Sequence, residues 1–308
     1  MLILQKRRLG KSDLFVSELG LGCMSLGTEP KIAEAIIKLA FEEGINYFDT
    51  ADLYDYGENE RIIGSSLKSV REQVIIATKV GNRWNEEKDG WHWDPSKTYI
   101  KEAVKKSLTR LNTEYIDLYQ LHGGTMDDPI EETIEAFEEL KKEGYIRYYG
   151  ISSIRPNVIR EYVTKATIES VMMQYSLLDR RPEEEALPLL HKHQISVVCR
   201  GSLAKGLLSD QMLAKASSSI RENGYLDYSF SELAELLPSL KAQLNRPFNE
   251  IALQYNLAHP AVASVIVGAS STSQLKENIR AASSKALTED EVDFIRQHTK
   301  ENRYTSHR

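Results

Sequence analysis

An α/β fold, with eight parallel strands closed into a (β/α)8 barrel, is what this sequence of 308 residues predicts. Three observations carry the prediction. Short apolar runs alternate with amphipathic helical stretches from one end to the other, the pattern of a parallel sheet. The runs number eight, which is the count that closes such a barrel. Most are apolar at nearly every position rather than at alternate ones, as strands covered on both faces are.

In chain order, RRLGKSDLFVSELG reads as a hairpin turning at Gly10-Lys11-Ser12, ahead of the barrel. The eight runs follow: ELGLGC (18–23), NYFDTA (46–51), VIIATKV (74–80), IDLYQLH (116–122), YYGIS (148–152), SVMMQY (170–175), SVVCRG (196–201) and SVIVGA (264–269). Between them lie helical patterns such as KIAEAIIKLAFEEG, TYIKEAVKKSLTRL and PIEETIEAFEELKKEG, several closing on Gly, the usual helix stop. The longest interruption follows the seventh run, from Leu207 to about Glu232. An extra helix over 288–298 ends the pattern, opening with the capping-box-like Thr288-Glu289-Asp290-Glu291. No linker or internal repeat beyond the βα unit breaks the chain, so residues 1–308 are expected to form one domain.

Composition excludes several classes. A net charge of −6 argues against a nucleic-acid surface, which needs a basic face. No run reaches the 18 or so apolar residues of a membrane span, and MLILQKRRLGKSDL lacks the apolar stretch of a secretory signal. The two cysteines, Cys23 and Cys199, sit in apolar runs and read as core thiols suited to a reducing cytoplasm. Gly20-Leu21-Gly22-Cys23-Met24-Ser25 nearly matches the dinucleotide fingerprint but ends in serine. The helix that a doubly wound fold requires at once begins only near Pro30, so that alternative is set aside.

Barrels of this kind carry their chemistry at the C-terminal ends of the strands. The second run ends at Asp49, with Tyr54 on the loop beyond; the third ends in Thr78-Lys79 and the fourth in His122. A lysine in an apolar strand requires a counter-charge, and Asp49 on the adjacent strand supplies one. A lysine ammonium beside Tyr54 is expected to lower the phenol pKa from about 10, tuning it for proton transfer. Each residue alone has a bland reading: a structural ion pair, a core histidine, a surface tyrosine. Their joint placement at successive strand ends points to a site.

With these residues in view, the chain resembles the aldo-keto reductases. The matching stretches are FDTADLYDYGENE, the lysine of ATKV, SLTRLNTEYIDLYQLH, GYIRYYGISS, MMQYSLLD and GASSTSQLKENIRAA, which together span essentially the whole chain. The resemblance implies a TIM barrel that reduces aldehydes or ketones with NADPH. It makes Asp49, Tyr54, Lys79 and His122 the catalytic four, with Tyr54 as proton donor. It further implies that Ser152 and Gln174 hydrogen-bond the nicotinamide carboxamide, and that Gly22, Cys23, Met24 and Asp49 lie along the cofactor. A third group, Arg200, Gly201, Ser202, Leu203, Ala204, Lys205 and Gly206, would follow it from the seventh strand. Gly268, Ser270, Gln274, Glu277 and Asn278 would receive the adenosine 2′-phosphate end at a helix N-terminus, with Lys205 or Arg221 supplying positive charge.

Two departures from the family pattern stand out. Arg200 replaces the flat aromatic residue that commonly stacks on the nicotinamide, and its planar guanidinium is a candidate for the same role. Ala269 stands where many relatives carry a basic residue for the 2′-phosphate. Beyond Lys79, GNRWNEEKDGWHWDPS holds all three tryptophans, Trp84, Trp91 and Trp93, beside His92; it reads as a pocket wall favouring apolar or aromatic carbonyl substrates. The rivals are a Schiff-base aldolase, which Asp49 argues against because such a lysine must be neutral, and a redox-sensing regulatory subunit like those of potassium channels. The complete catalytic four, with no extension ahead of the hairpin, favour the enzyme.

Overall fold

The computed structural model describes residues 4–308, the side chain of Lys215 excepted. Met1–Ile3, the head of the N-terminal stretch considered above, lie outside them. The hairpin forms as expected, β1 (Lys6–Arg8) pairing antiparallel with β2 (Phe15–Ser17). Strands β3 (Leu19–Gly22), β4 (Tyr47–Asp49) and β5 (Ile75–Val80) follow. Next comes a two-stranded ribbon of β6 (Asn82–Trp84) and β7 (Trp91–Trp93). Then come β8 (Ile116–Leu121), β9 (Ile146–Ser152), β10 (Ser170–Gln174), β11 (Ser196–Arg200) and β12 (Val262–Gly268). Strands β3, β4, β5, β8, β9, β10, β11 and β12 pair in that order, and β12 returns to β3 to close a parallel barrel.

Helices α1 (Pro30–Glu42), α2 (Glu58–Leu67), α3 (Lys97–Leu111), α4 (Ile130–Lys142), α5 (Pro156–Lys165) and α6 (Ala186–Lys192) take the crossovers in turn. After β11 the interruption expected from Leu207 to about Glu232 holds one short helix, α7 (Ser218–Asn223), and α8 (Phe230–Leu244) and α9 (Phe248–Leu257) follow it. Serine caps start the first two, Ser217 accepting from Ile220 N and Ser229 forming a capping box with Glu232. Helix α10 (Thr272–Ala282) follows β12, and α11 (Glu289–His298) starts with the expected box between Thr288 and Glu291.

Period-two alternation divides the apolar residues into two cores. The outer core lies between strands and helices and includes Phe48, Ile76, Tyr119, Phe137 and Tyr149. The inner core fills the barrel with Tyr47, Ile75, Ala77, Leu118, Met172, Val198, Ala263 and Ile266, and Leu9, Leu14 and Val16 of the hairpin plug its lower end. Gly20 belongs to this packing: a Cβ there would fall 2.4 Å from Cδ1 of Ile266, its partner on the neighbouring strand β12, so the glycine makes room for that side chain rather than for a phosphate. With the bottom sealed by the hairpin, the polar strand ends are left at the opposite mouth.

Candidate active site

The parity that points Tyr47 and Ala77 into the barrel also points Asp49 and Lys79 inward, one step nearer the mouth. Lys79 is 1 % exposed, and its Nζ donates to Asp49 Oδ1 at 2.7 Å and to the Thr50 carbonyl at 2.6 Å. Its third donor reaches Tyr54 Oη at the longer distance of 3.4 Å. Gln120, directly across from Lys79 in the β5–β8 register, donates to Asp49 Oδ2 at 3.4 Å. Burial opposes the Lys79 ammonium more than any one partner supports it, but Asp49 and Tyr54, through charge and hydrogen bonds, together outweigh burial and hold the lysine above its ordinary pKa. Burial raises Asp49, against the pull of Lys79.

Tyr54 departs from the sequence expectation. Its pKa is raised, because burial of the phenol outweighs the cation beside it. The Lys79 charge is largely compensated by Asp49, which is nearer to the ammonium than the phenol is and itself disfavours a phenolate. Tyr54 therefore stays a protonated phenol through neutral pH. His122, on the strand-end position after β8, meets the Tyr54 ring edge-on at 5.9 Å between centroids. Burial, with Lys79 and Arg200 adding to it, pushes His122 down to about 3, so it is a neutral imidazole. Its Nδ1 is buried without a protein partner. A buried N–H left unbonded costs more than a bare lone pair, which favours the tautomer carrying hydrogen on Nε2.

The loop that presents Tyr54 is held from behind. Asp55, Tyr56 and Gly57 take three successive left-handed conformations, φ 48, 51 and 86°, strain that persists only where surroundings over-determine it. Those surroundings are polar and buried. Thr50 Oγ1 donates to Asn59 Oδ1 at 2.7 Å, Asn59 Nδ2 donates to the Cys23 carbonyl, and Glu60 accepts from Thr78 and Arg110 at 2.6 Å each. Above the mouth, the ribbon register sets Trp84 opposite Trp91 and Asn82 opposite Trp93, so all three tryptophans share one face. Trp93 lies over Gly81 and Gly123, where a Cβ would fall 2.5 and 3.2 Å from its ring, and donates Nε1–H to Asp128 at 2.9 Å. Trp84 meets Tyr56 edge-on, while Trp91 is exposed.

At the ends of β3 and β12 a cleft of about 750 Å³ is bounded by the segment after β11 and the face of α10, a volume typical of ligand sites; Asp49, Tyr54, Lys79 and His122 are not among its lining residues. Met24, Gly201–Gly206, Gly268, Gln274, Glu277 and Asn278, all expected, line it together. Ser25, Asp210, Glu250 and Arg280, which are outside the set of expected contacts, line it too. Arg280 was findable: it completes the helical face begun at Gln274 and Glu277. Ser271 caps α10 by accepting from Gln274 N, and Gln274 Oε1 accepts in turn from Ser270 N and Oγ.

Gly22 and Asp49 pair across β3 and β4 at the mouth. Ser152, Gln174 and Arg200 end β9, β10 and β11 there. Two expectations change. The Cys23 thiol is wholly buried, faces the Leu21 carbonyl and has a raised pKa from burial, so its side chain does not reach the cleft. Arg221 does not line the cleft either; its guanidinium donates to the Ala216 and Leu213 carbonyls and lies 5.4 Å over the Phe230 ring.

The cleft fits a dinucleotide. Successive residues Ala204, Lys205 and Gly206 have positive φ of 46, 57 and 91°, a tight turn in which the Ala204 and Gly206 N–H groups bond the Gly201 and Leu203 carbonyls and the Lys205 side chain is carried at the cleft. Of its three acids, Asp210 pairs with Lys241 at 2.8 Å and Glu250 with Arg246 at 3.9 Å, while Glu277 has no cation within 4.0 Å among the described residues. Among the described residues, Lys205 and Arg280 have no carboxylate partner within 4.0 Å. Nor, among those residues, is any helix long and apolar enough to cross a membrane.

The aldo/keto reductase family model matches residues 18–300. An uncharacterized oxidoreductase, YqkF of Bacillus subtilis, is 61% identical over 99% of this chain and 100% of its own. The NADH-specific methylglyoxal reductase of Escherichia coli is 32% identical over 90% of this chain and 93% of its own. Among solved structures, the holo form of aldo-keto reductase AKR11C1 from Bacillus halodurans superposes with a TM-score of 0.94 at 57% identity, covering 99% of each chain. A closed barrel with a buried Asp–Lys pair beneath a phenol and a neutral imidazole thus meets a family match over nearly its full length: the chain belongs to the aldo/keto reductase family and is an oxidoreductase acting with a nicotinamide cofactor on small carbonyl compounds.

Proposed function

We propose that residues 1–308 act as one catalytic domain of a cytoplasmic, NADPH-dependent reductase of aldehydes and ketones, with Tyr54 as proton donor. The observation that carries the reading is the sharing of one buried ammonium, Lys79 Nζ, between Asp49 at 2.7 Å and Tyr54 at 3.4 Å, with His122 edge-on to the same phenol. The bound nicotinamide supplies the hydride. Negative charge then grows on the substrate oxygen, and the residues at the mouth meet it. Neutral His122 donates from Nε2 and orients the carbonyl, while protonated Tyr54 gives its proton as that charge develops. Lys79 stabilises the phenolate left behind, and Asp49 keeps Lys79 in place.

Ser152 and Gln174 would hold the carboxamide, and the expected residues of the cleft the remainder of the cofactor. A guanidinium at Arg200 would stack where relatives use an aromatic ring. One relative is named NADH-specific, so the choice between cofactors is argued from the cleft's own charges. Lys205 and Arg280, two cations against the one unpaired carboxylate of Glu277 and beside a capped helix N-terminus, favour the extra phosphate of NADPH. The tryptophan face of the ribbon favours apolar or aromatic substrates. The regulatory-subunit reading is not favoured, since the relatives named above are all reductases or oxidoreductases. The test is turnover of a reactive aromatic aldehyde with each cofactor. NADPH should give a kcat/KM at least about tenfold above NADH, one charged contact's worth; equal values would refute the NADPH assignment, and no turnover with either would refute the reductase.

A further inference from the structure

The geometry points to Asp179 as a positioning residue that fixes which atom of Gln174 is presented to the cofactor, and so makes the site read the carboxamide N–H. The inference rests on the reductase reading above. Asp179 is fully buried in the tight turn after β10, where its N–H bonds the Ser176 carbonyl. The Arg181 guanidinium grips both carboxylate oxygens, Nε to Oδ1 and Nη2 to Oδ2 at 2.7 Å each. Arg181 is itself backed by the Tyr304 ring at 4.9 Å. A carboxylate held this way only accepts hydrogen bonds.

Gln174 Nε2 donates to Asp179 Oδ2 at 2.8 Å and, more weakly, to Tyr225 Oη at 3.5 Å. Both amide hydrogens are therefore directed at protein groups, and the carbonyl oxygen Oε1 is the atom that faces the mouth. The opposite orientation would aim an NH2 group at Arg200, which can only donate. Oε1 now accepts from Arg200 Nη1 at 3.2 Å, a side chain exposed to solvent and free to exchange for another donor. An acceptor locked at this point selects a ligand with an N–H: the amide of a nicotinamide, and not a ketone or acid of the same shape. The sequence marks Gln174 but gives no direction to its amide, and Asp179 stands in it only as the end of a matching stretch.

The experiment uses NADPH and reduced 3-acetylpyridine adenine dinucleotide phosphate, in which a methyl group replaces the carboxamide NH2. Dissociation constants by titration calorimetry give the ratio of the two. The natural protein should bind NADPH about tenfold more tightly, the size of one hydrogen bond. In Asp179→Leu, where Gln174 can turn over, the ratio should fall to about twofold or less. Should that variant fail to fold, the double variant Asp179→Leu with Arg181→Met removes both members of the buried pair, a change that is often close to neutral for stability, and the same collapse is expected. A purely structural Asp179 would weaken both cofactors alike, so an unchanged ratio in a folded variant overturns the inference. Equal binding of both cofactors by the natural protein overturns it as well. Failure of the natural protein to bind either one removes the parent reading, and this inference with it.

Discussion

Replacing Lys79 with methionine keeps most of the length of the side chain and removes the ammonium with the hydrogen bonds it donates. In the folded protein Asp49, 4 % exposed, would then retain Gln120 at 3.4 Å as its one remaining side-chain partner. At the present separation of 2.7 Å the lost attraction is about 6 kcal/mol for an effective dielectric constant near 20. The desolvation of the lysine that is simultaneously relieved offsets part of this, and breaking a buried pair from one side typically costs about 3–5 kcal/mol. Urea denaturation at neutral pH should show Lys79→Met destabilised by that amount. Adding Asp49→Asn removes the stranded charge, and the double variant should recover to within about 2 kcal/mol of the natural protein. A single variant within about 1 kcal/mol of the natural protein would show that the pair is not the buried, mutually dependent unit described here.

Three further outcomes are expected. Because His122 is held at about 3 and Tyr54 above its ordinary value, kcat/KM for carbonyl reduction should be level from pH 5 to 8; a limb near 6.5 that disappears in His122→Asn would contradict this. Asp52 is lifted to about 8 by burial, with the Glu60 charge adding to it. Its folded pKa thus lies above the unfolded one, so stability is complete below about pH 4 and is lost as pH rises toward 8. Asp52→Asn should match the natural protein near pH 4 and exceed it by a few kcal/mol near pH 8 in urea unfolding; equal pH dependence of the two would refute it. Arg280→Ala should raise KM for NADPH about tenfold and leave KM for NADH nearly unchanged; parallel changes would place Arg280 away from the extra phosphate.

The barrel was legible because its strands are covered on both faces and read as apolar runs. The hairpin was legible from its turn, and α11 from its capping box. Asp49, Lys79 and His122 were legible for a related reason: a charged or titratable group ending an apolar strand stands out against its neighbours. What was missed depends on groups distant in the chain. Asn59 and Glu60 look like the exposed first turn of a helix, yet Thr50, Thr78 and Arg110 bury and satisfy them. The ribbon β6–β7 escaped notice because three-residue strands leave no periodicity to count, although its register explains the tryptophans. Tyr54's shift came out with the opposite sign because proximity to a lysine says nothing of how far that lysine is already neutralised. Arg221, a free cation in sequence, bonds carbonyls five and eight residues before it.

The central claim is that the Tyr54 hydroxyl is the proton donor. Its most direct test compares Tyr54→Phe with the natural protein, measuring NADPH affinity by fluorescence and turnover with an aromatic aldehyde. The ring, its edge-on contact with His122 and the loop behind it are all retained in that variant. NADPH affinity should be unchanged and kcat should fall by roughly 10²–10⁴-fold, the usual contribution of a positioned acid. Turnover within about tenfold of the natural protein, with NADPH bound normally, would mean that the proton comes from elsewhere.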